Sequence, residues 1–299
     1  MKRLLKWFGI VVVGLVALVA VAYGVVYFLS ERRIDKTYDV AVQPLTLPTN
    51  AASLAEGRRL LTIRGCDDCH AADFGGKTFI DDPTLGTIAA ANLTAGQGSA
   101  TQGFTTEDWV RAIRHGIGPD GRSLKIMPSY EFVGLSDEQL GQIIAYLVGA
   151  PPVDRVPAPA VIKPLGRVLT LANQLPLLPA ELTDHSVVAP QSVAPEASVA
   201  YGAYMVSSCR GCHGENLAGG PVPGSAPDDV PAANLTPSGA LGGWTLDSFK
   251  HTLRTGITPD GRQLDPQDMP WTLTREMTDT ELEALWLYLN DLPPATPAG

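Results

Sequence analysis

The 299-residue chain has only four cysteines, and all four fall in two copies of one motif, Cys66-Asp67-Asp68-Cys69-His70 and Cys209-Arg210-Gly211-Cys212-His213. With both motifs in use no thiol remains, so a disulfide framework is excluded as the source of stability. Aromatic residues are few, at 7%, whereas 30 Gly and 25 Pro imply many turns and irregular loops. Such a chain folds more easily when something large and apolar fills each core. Acidic residues are missing from the first 30 positions; beyond them 19 Lys and Arg stand against 31 Asp and Glu, a net of −12. That balance argues against nucleic acid as a partner and suits a basic protein or a plain solvated surface.

What the N-terminus does have is an uncharged run of 24 residues, Trp7 to Ser30, between Lys2, Arg3, Lys6 and Glu31, Arg32, Arg33. As a helix it would extend roughly 36 Å at about 1.5 Å per residue, enough to cross a bilayer. Ala20-Val21-Ala22 also fits a signal-peptide cleavage site. The apolar run continues past it through Leu29, which favours a retained transmembrane anchor over residues 1–30. Positive charge at both ends leaves the orientation to be settled by other means.

An internal repeat decides the architecture. Cys66 and Cys209 are 143 positions apart, and Asn92-Leu93-Thr94 and Asn234-Leu235-Thr236 are 142 apart. Pro119-Asp120-Gly121-Arg122 returns 140 later at Pro259, and Met127-Pro128 returns 142 later at Met269-Pro270. The chain thus divides into a stalk over 31–50, a first domain over 51–150, a Pro-rich connector over 151–198, a second domain over 199–293 and a tail over 294–299. The stalk is expected to stand the first domain off the membrane. The connector's apolar middle, Leu165 to Leu178, must pack on a domain or a partner. Helices are expected from about Ser53, about Val199, Thr105 or Thr106, and at the capping boxes Ser136…Gln139 and Thr278…Glu281. No alternating strand pattern is present, so the fold class is all-α.

Three chemistries compete for Cys-x-x-Cys-His. A thioredoxin-like dithiol goes with βαβ patterning, which is absent. Zinc needs four ligands, and no further cysteine exists to complete them. The remaining reading is covalent haem c: two sulfurs one helical turn apart reach one porphyrin edge, and the adjacent imidazole reaches the iron. Two copies imply two covalently attached haem c groups, with His70 and His213 as iron ligands. Haem c is attached outside the cytoplasm, so the span runs N-in and both domains face the periplasmic or outer side of the cytoplasmic membrane.

A true sixth ligand should occur in both repeats at matching positions. Met127 and Met269 do, 57 and 56 residues after their histidines and each followed by proline. His115 aligns with Thr255, His251 with Arg111 and Met277 with Leu135; His185 has no counterpart, and Met205 precedes its motif. His/Met ligation fills the sixth position and favours electron transfer over binding of O₂ or peroxide. Asn92 and Asn234 are candidates to hydrogen-bond haem propionates or to shape a loop. Arg122 and Arg262 are candidates to pair with propionates, though Pro-Asp-Gly-Arg is also an ordinary turn.

The ordered set Cys-x-x-Cys-His, Asn-Leu-Thr, Pro-Asp-Gly-Arg, Met-Pro and a closing helix resembles the membrane-associated cytochrome c subunits of periplasmic alcohol, aldehyde and gluconate dehydrogenases. The resemblance spans both domains and implies His70/Met127 and His213/Met269 as axial pairs. It departs from that family in carrying two motifs rather than three, and in placing its apolar segment at the N-terminus. The expected activity is single-electron transfer without catalysis, as a membrane-tethered dihaem cytochrome c. Donors would be a dehydrogenase or a quinol-oxidising complex, and acceptors an oxidase or a reaction centre. Alternatives are an integral dihaem subunit of a haem–copper oxidase, or a dihaem enzyme such as a peroxidase.

Overall fold

The computed structural model describes residues 2–223, 225 and 228–296. It opens with α1 (Lys2–Ile34), the one helix among the described residues that is long and apolar enough to cross a membrane. The first domain follows with α2 (Ala51–Ile63), α3 (Cys66–His70), strands β1 (Thr78–Asp82) and β2 (Gly86–Ala89), α4 (Thr106–His115), α5 (Ser129–Phe132) and α6 (Asp137–Val148). The connector forms β3 (Val161–Ile162), α7 (Pro164–Leu171) and α8 (Pro179–Leu182). The second domain holds α9 (Val199–Met205), α10 (Ser207–His213), α11 (Leu246–Thr255), α12 (Trp271–Thr274) and α13 (Asp279–Asp291). Of the tail, residues 297–299 lie outside the described residues.

Local chemistry sets the helix ends. Asn50 accepts from the Ser53 amide to open α2, and Thr105 and Asp108 close a reciprocal capping box on α4. Thr278 and Glu281 form the expected box on α13. On α6 only half of the expected box is present: Ser136 Oγ accepts from the Gln139 amide. The other half runs through Tyr204 of the second domain. Its hydroxyl accepts from the Ser136 amide at 3.0 Å and donates to Gln139 Oε1 at 2.7 Å.

The first and last helices of each repeat cross with their backbones nearly touching. A Cβ on Gly57 of α2 would collide with the Gln142 carbonyl of α6, and one on Gly202 of α9 with the Ala284 carbonyl of α13. Only glycine permits that approach. Around these crossings Leu60, Leu140 and Ile144 in one repeat, and Met205, Leu282 and Leu285 in the other, belong to one continuous buried cluster. The domains therefore share a core. Arg59 of α2 seals the boundary, reaching both carboxylate oxygens of buried Glu281 at 2.8 Å.

The structure corrects the all-α expectation: β1, β2 and β3 form a three-stranded antiparallel sheet. Its strands are too short to display an alternating pattern in sequence. Asp82 Oδ1 turns the hairpin by accepting from the Thr84 and Leu85 amides, each at 2.7 Å. The third strand comes from the connector, which is a folded part of the first domain's surface rather than a spacer. Leu177 and Leu178 are buried against Ile88, with Ile34 packed beside them. The segment after α1 lies along the first domain. Tyr38 donates its amide to the Gly121 carbonyl, and Val42, Leu45 and Leu47 pack on the core. On the connector side α7 docks on the end of α1, where Arg167 pairs with Glu31 at 2.6 Å and lies over the Tyr27 ring.

Candidate functional site

Each Cys-x-x-Cys-His forms one short helical turn, which places the two sulfurs on one side and the imidazole beyond them. Burial pushes the Cys66 thiol up to about 12 and the Cys69 and Cys209 thiols up to about 11. Cys212 is raised for the same reason. Such thiols do not ionise near neutral pH, which disfavours a reactive dithiol. His70 Nδ1 lies 2.8 Å from the Ala91 carbonyl and His213 Nδ1 lies 2.7 Å from the Ala233 carbonyl. A carbonyl only accepts, so Nδ1 carries the hydrogen and Nε2 presents its lone pair. Burial also lowers both histidine pKa values and keeps the rings neutral. An oriented neutral imidazole braced by a carbonyl is the usual state of a metal-ligating histidine.

The turn after each motif repeats in the same detail. The Gly76 amide closes on the His70 carbonyl and the Gly219 amide on the His213 carbonyl, both at 2.9 Å. Phe74 and Leu217 both adopt φ of 57°, and their carbonyls accept from the Leu93 and Leu235 amides at 2.8 Å. This is how Asn-Leu-Thr comes to stand behind each histidine.

In the first domain the site is a cavity of about 800 Å³ with Cys66, Cys69 and His70 on its wall. That volume suits a bound cofactor, given a usual range of roughly 300–1,000 Å³. The remaining wall includes Met127 and Pro128, with Leu61, Leu93, Phe104, Trp109, Ile113 and Phe132 supplying apolar surface. A flat apolar group with one metal centre fits this lining. Ile126, just before Met127, holds φ at 63°, a strained value for a β-branched residue. Its amide donates to the connector's Leu177 carbonyl at 2.9 Å, so the connector holds the Met127 loop. In the second domain Met269 is half-buried on a loop whose Asp265 and Asp268 are exposed, and its amide returns to the Asp265 carbonyl.

The asparagines are committed to the loop. Asn92 Oδ1 accepts from the Thr94 amide and hydroxyl, and Nδ2 donates to the Val153 carbonyl at 2.7 Å and the Arg155 carbonyl at 3.0 Å. Asn234 does the same with Thr236 and the Ala295 carbonyl. Of their two proposed roles, loop shaping already uses the whole Asn92 amide. Arg122 stands on the rim of the cavity, 3.4 Å from Asp35. Arg262 is exposed. His115 and His185 meet Nδ1 to Nδ1 at 3.1 Å, pinning the connector to α4.

Two residues at the domain boundary escaped the sequence reading. Arg64, two positions before Cys66, is 5% exposed, lines the cavity and donates to Ser207 Oγ at 3.2 Å and Ser208 Oγ at 3.1 Å. Glu131 of α5 presses its carboxyl onto Gly211 inside the second motif. A buried arginine beside a motif has no signature in one sequence, because its burial depends on the partner domain.

The model of the cytochrome c family matches residues 54–151 and 199–293. The chain therefore belongs to the cytochrome c family, as a tandem pair of its domains carrying two haem c groups and serving electron transfer. It is 28% identical over 288 residues to the cytochrome c subunit of a quinone-dependent alcohol dehydrogenase from Gluconacetobacter polyoxogenes, covering 85% of this chain and 58% of that one. It is 26% identical over 290 residues to the cytochrome subunit of fructose dehydrogenase from Gluconobacter japonicus, covering 87% and 57%. A dihaem c-type cytochrome from Cereibacter sphaeroides is 25% identical over 266 residues, covering 80% and 86%. The chain thus spans a little under three-fifths of the two dehydrogenase subunits and most of the dihaem protein.

Proposed function

We propose that this chain is a membrane-tethered electron relay that passes single electrons from a periplasmic dehydrogenase or quinol-oxidising complex to a terminal acceptor, an oxidase or a reaction centre. In this reading Cys66 and Cys69 hold one haem c with His70 and Met127 as axial ligands. Cys209 and Cys212 hold the other with His213 and Met269. Haem iron supplies the one-electron couple. The protein's part is to fix each imidazole through its Nδ1–H, to keep water from the first pocket with apolar walls, and to bring the two sites together. The observation that carries the reading is the duplicated bracing of His70 by Ala91 and of His213 by Ala233. In the first domain Met127 also stands in the wall of the cavity that holds His70.

The packing of α5 on α10 supports relay within the chain, because α5 begins two residues after Met127 and α10 carries the second motif. Helix α1 serves as a single-pass anchor, oriented N-in so that both haems face the periplasm. A dehydrogenase donor is favoured by the relatives named as dehydrogenase cytochrome subunits. Gentle solubilisation followed by affinity capture of the full chain tests the partnership. Recovery of a dehydrogenase that reduces both haems with its substrate supports it, and recovery of a haem–copper oxidase core alone assigns the chain to that complex instead.

A further inference from the structure

Arg64 lines the first cavity and reaches the residues that immediately precede the second motif. It follows the last turn of α2 and lies two residues before Cys66. Its guanidinium crosses the domain boundary to Ser207 and Ser208, which immediately precede Cys209, and stacks over the Tyr204 ring at 5.6 Å. Its remaining contacts are the Met205 carbonyl at 3.5 Å and the Met205 sulfur at 3.6 Å. Every one of these partners is neutral. Among the described residues its buried Nε has no hydrogen-bond partner. The nearby carboxyl is Glu131, and burial pushes that group up to about 8 despite the Arg64 charge, so at neutral pH it is mostly uncharged. A guanidinium is always protonated. The cation is therefore buried between the two attachment motifs with only neutral hydrogen-bond partners among the described residues.

We propose that Arg64 sets the reduction potential of both haems at once, as a shared positive charge on the seam between them. The physical reason is direct. Oxidation adds a positive charge to each iron, and a fixed cation in a poorly screened interior opposes that addition. Both haems are thereby held at a higher potential, and their potentials stay coupled to one residue. The inference rests on a haem occupying each motif and is independent of which donor or acceptor the chain serves.

The test is a spectropotentiometric titration of the full chain and its variants, with the haem-to-protein ratio measured on each sample. Arg64→Gln is expected to shift the reduction equilibrium of both haems toward the oxidised form by roughly tenfold each, about 59 mV for a one-electron couple. Arg64→Lys keeps the charge and is expected to stay within about a third of that shift. Ser207→Ala combined with Ser208→Ala removes the hydrogen bonds but not the charge, and is expected to leave both potentials in place. If Arg64→Gln assembles fewer than two haems, Arg64→Met carries the same expectation. The proposal is overturned if the charge-removing variant moves neither potential or moves only the first. It is equally overturned if Arg64→Lys or the serine pair falls as far as Arg64→Gln. A chain with fewer than two haems before any substitution would contradict the haem assignment instead, a separate outcome.

Discussion

Replacing Glu281 with alanine tests whether the two domains are one folding unit. Its carboxylate is 2% exposed and accepts both Arg59 nitrogens at 2.8 Å, while also accepting the Thr278 amide at 2.7 Å as half of the α13 capping box. Breaking a buried ion pair from one side costs about 3–5 kcal/mol, and losing a cap interaction about 1 kcal/mol. Arg59 is 22% exposed and keeps Glu56, which lowers the total, so a loss of about 3 kcal/mol is expected. If both domains melt together that is about 6–12 °C in Tm. Calorimetry of the wild type, the two single variants and the Arg59→Ala/Glu281→Ala double variant measures it. A coupling of at least about 1.5 kcal/mol between the two sites is expected from their shared bonds. A loss below about 1 kcal/mol, or costs that simply add, would refute the reasoning. The pair also predicts acid lability. Burial alone would raise the Glu281 pKa, but the Arg59 hydrogen bonds outweigh it and hold the group below 4.5. Its contribution is therefore present above that value and lost as pH falls below it.

Alanine at Gly57 or Gly202 drives a methyl into a facing carbonyl, and each is expected to cost about 1–3 kcal/mol in thermal unfolding with lowered haem incorporation in its own domain. The His115–His185 contact predicts a second pH effect. Burial first, and then the charges of His185, Arg114 and Arg111, lower His115 from 6.5 to about 4. A base with a depressed folded pKa contributes fully above about 6.5 and progressively less as pH falls toward 4, so the connector should become protease-sensitive across that window. His115→Asn should flatten the dependence. The Met127 loop is held by the Leu177 carbonyl, whereas the Met269 loop is bordered by exposed Asp265 and Asp268. Imidazole or cyanide is therefore expected to displace Met269 faster than Met127 in stopped-flow spectra of the ferric protein.

The parts of this molecule carried by local chemistry were legible in the sequence: the span, the repeat, the caps at Thr105 and Thr278, and the spacing of Cys66, Cys69 and His70. Contacts made between distant segments were not. The sheet escaped because β1 and β2 are short and their third strand comes from the connector some 70 residues later. The Ser136 cap was read as self-contained, but Tyr204 of the other domain completes it. The docking of the stalk was not legible, because Pro44 and Pro48 describe stiffness and say nothing of contacts, whereas the apolar middle of the connector did announce that it packs, as Leu177 and Leu178 do against Ile88. Asn92 and Asn234 were recognisable as matched, yet only their hydrogen bonds show that the match serves the loop. Arg64 and Glu131 acquire meaning solely from the domain boundary.

The central claim is that each motif holds a six-coordinate haem closed by its own methionine. Near-infrared magnetic circular dichroism of the ferric protein measures this directly, through the methionine-sulfur-to-iron charge-transfer band normalised to haem content. The account predicts a band from both haems, with Met127→His and Met269→His each removing about half of its intensity and the double variant removing all of it. A ferric protein with no such band, or a band that survives both substitutions, would contradict it.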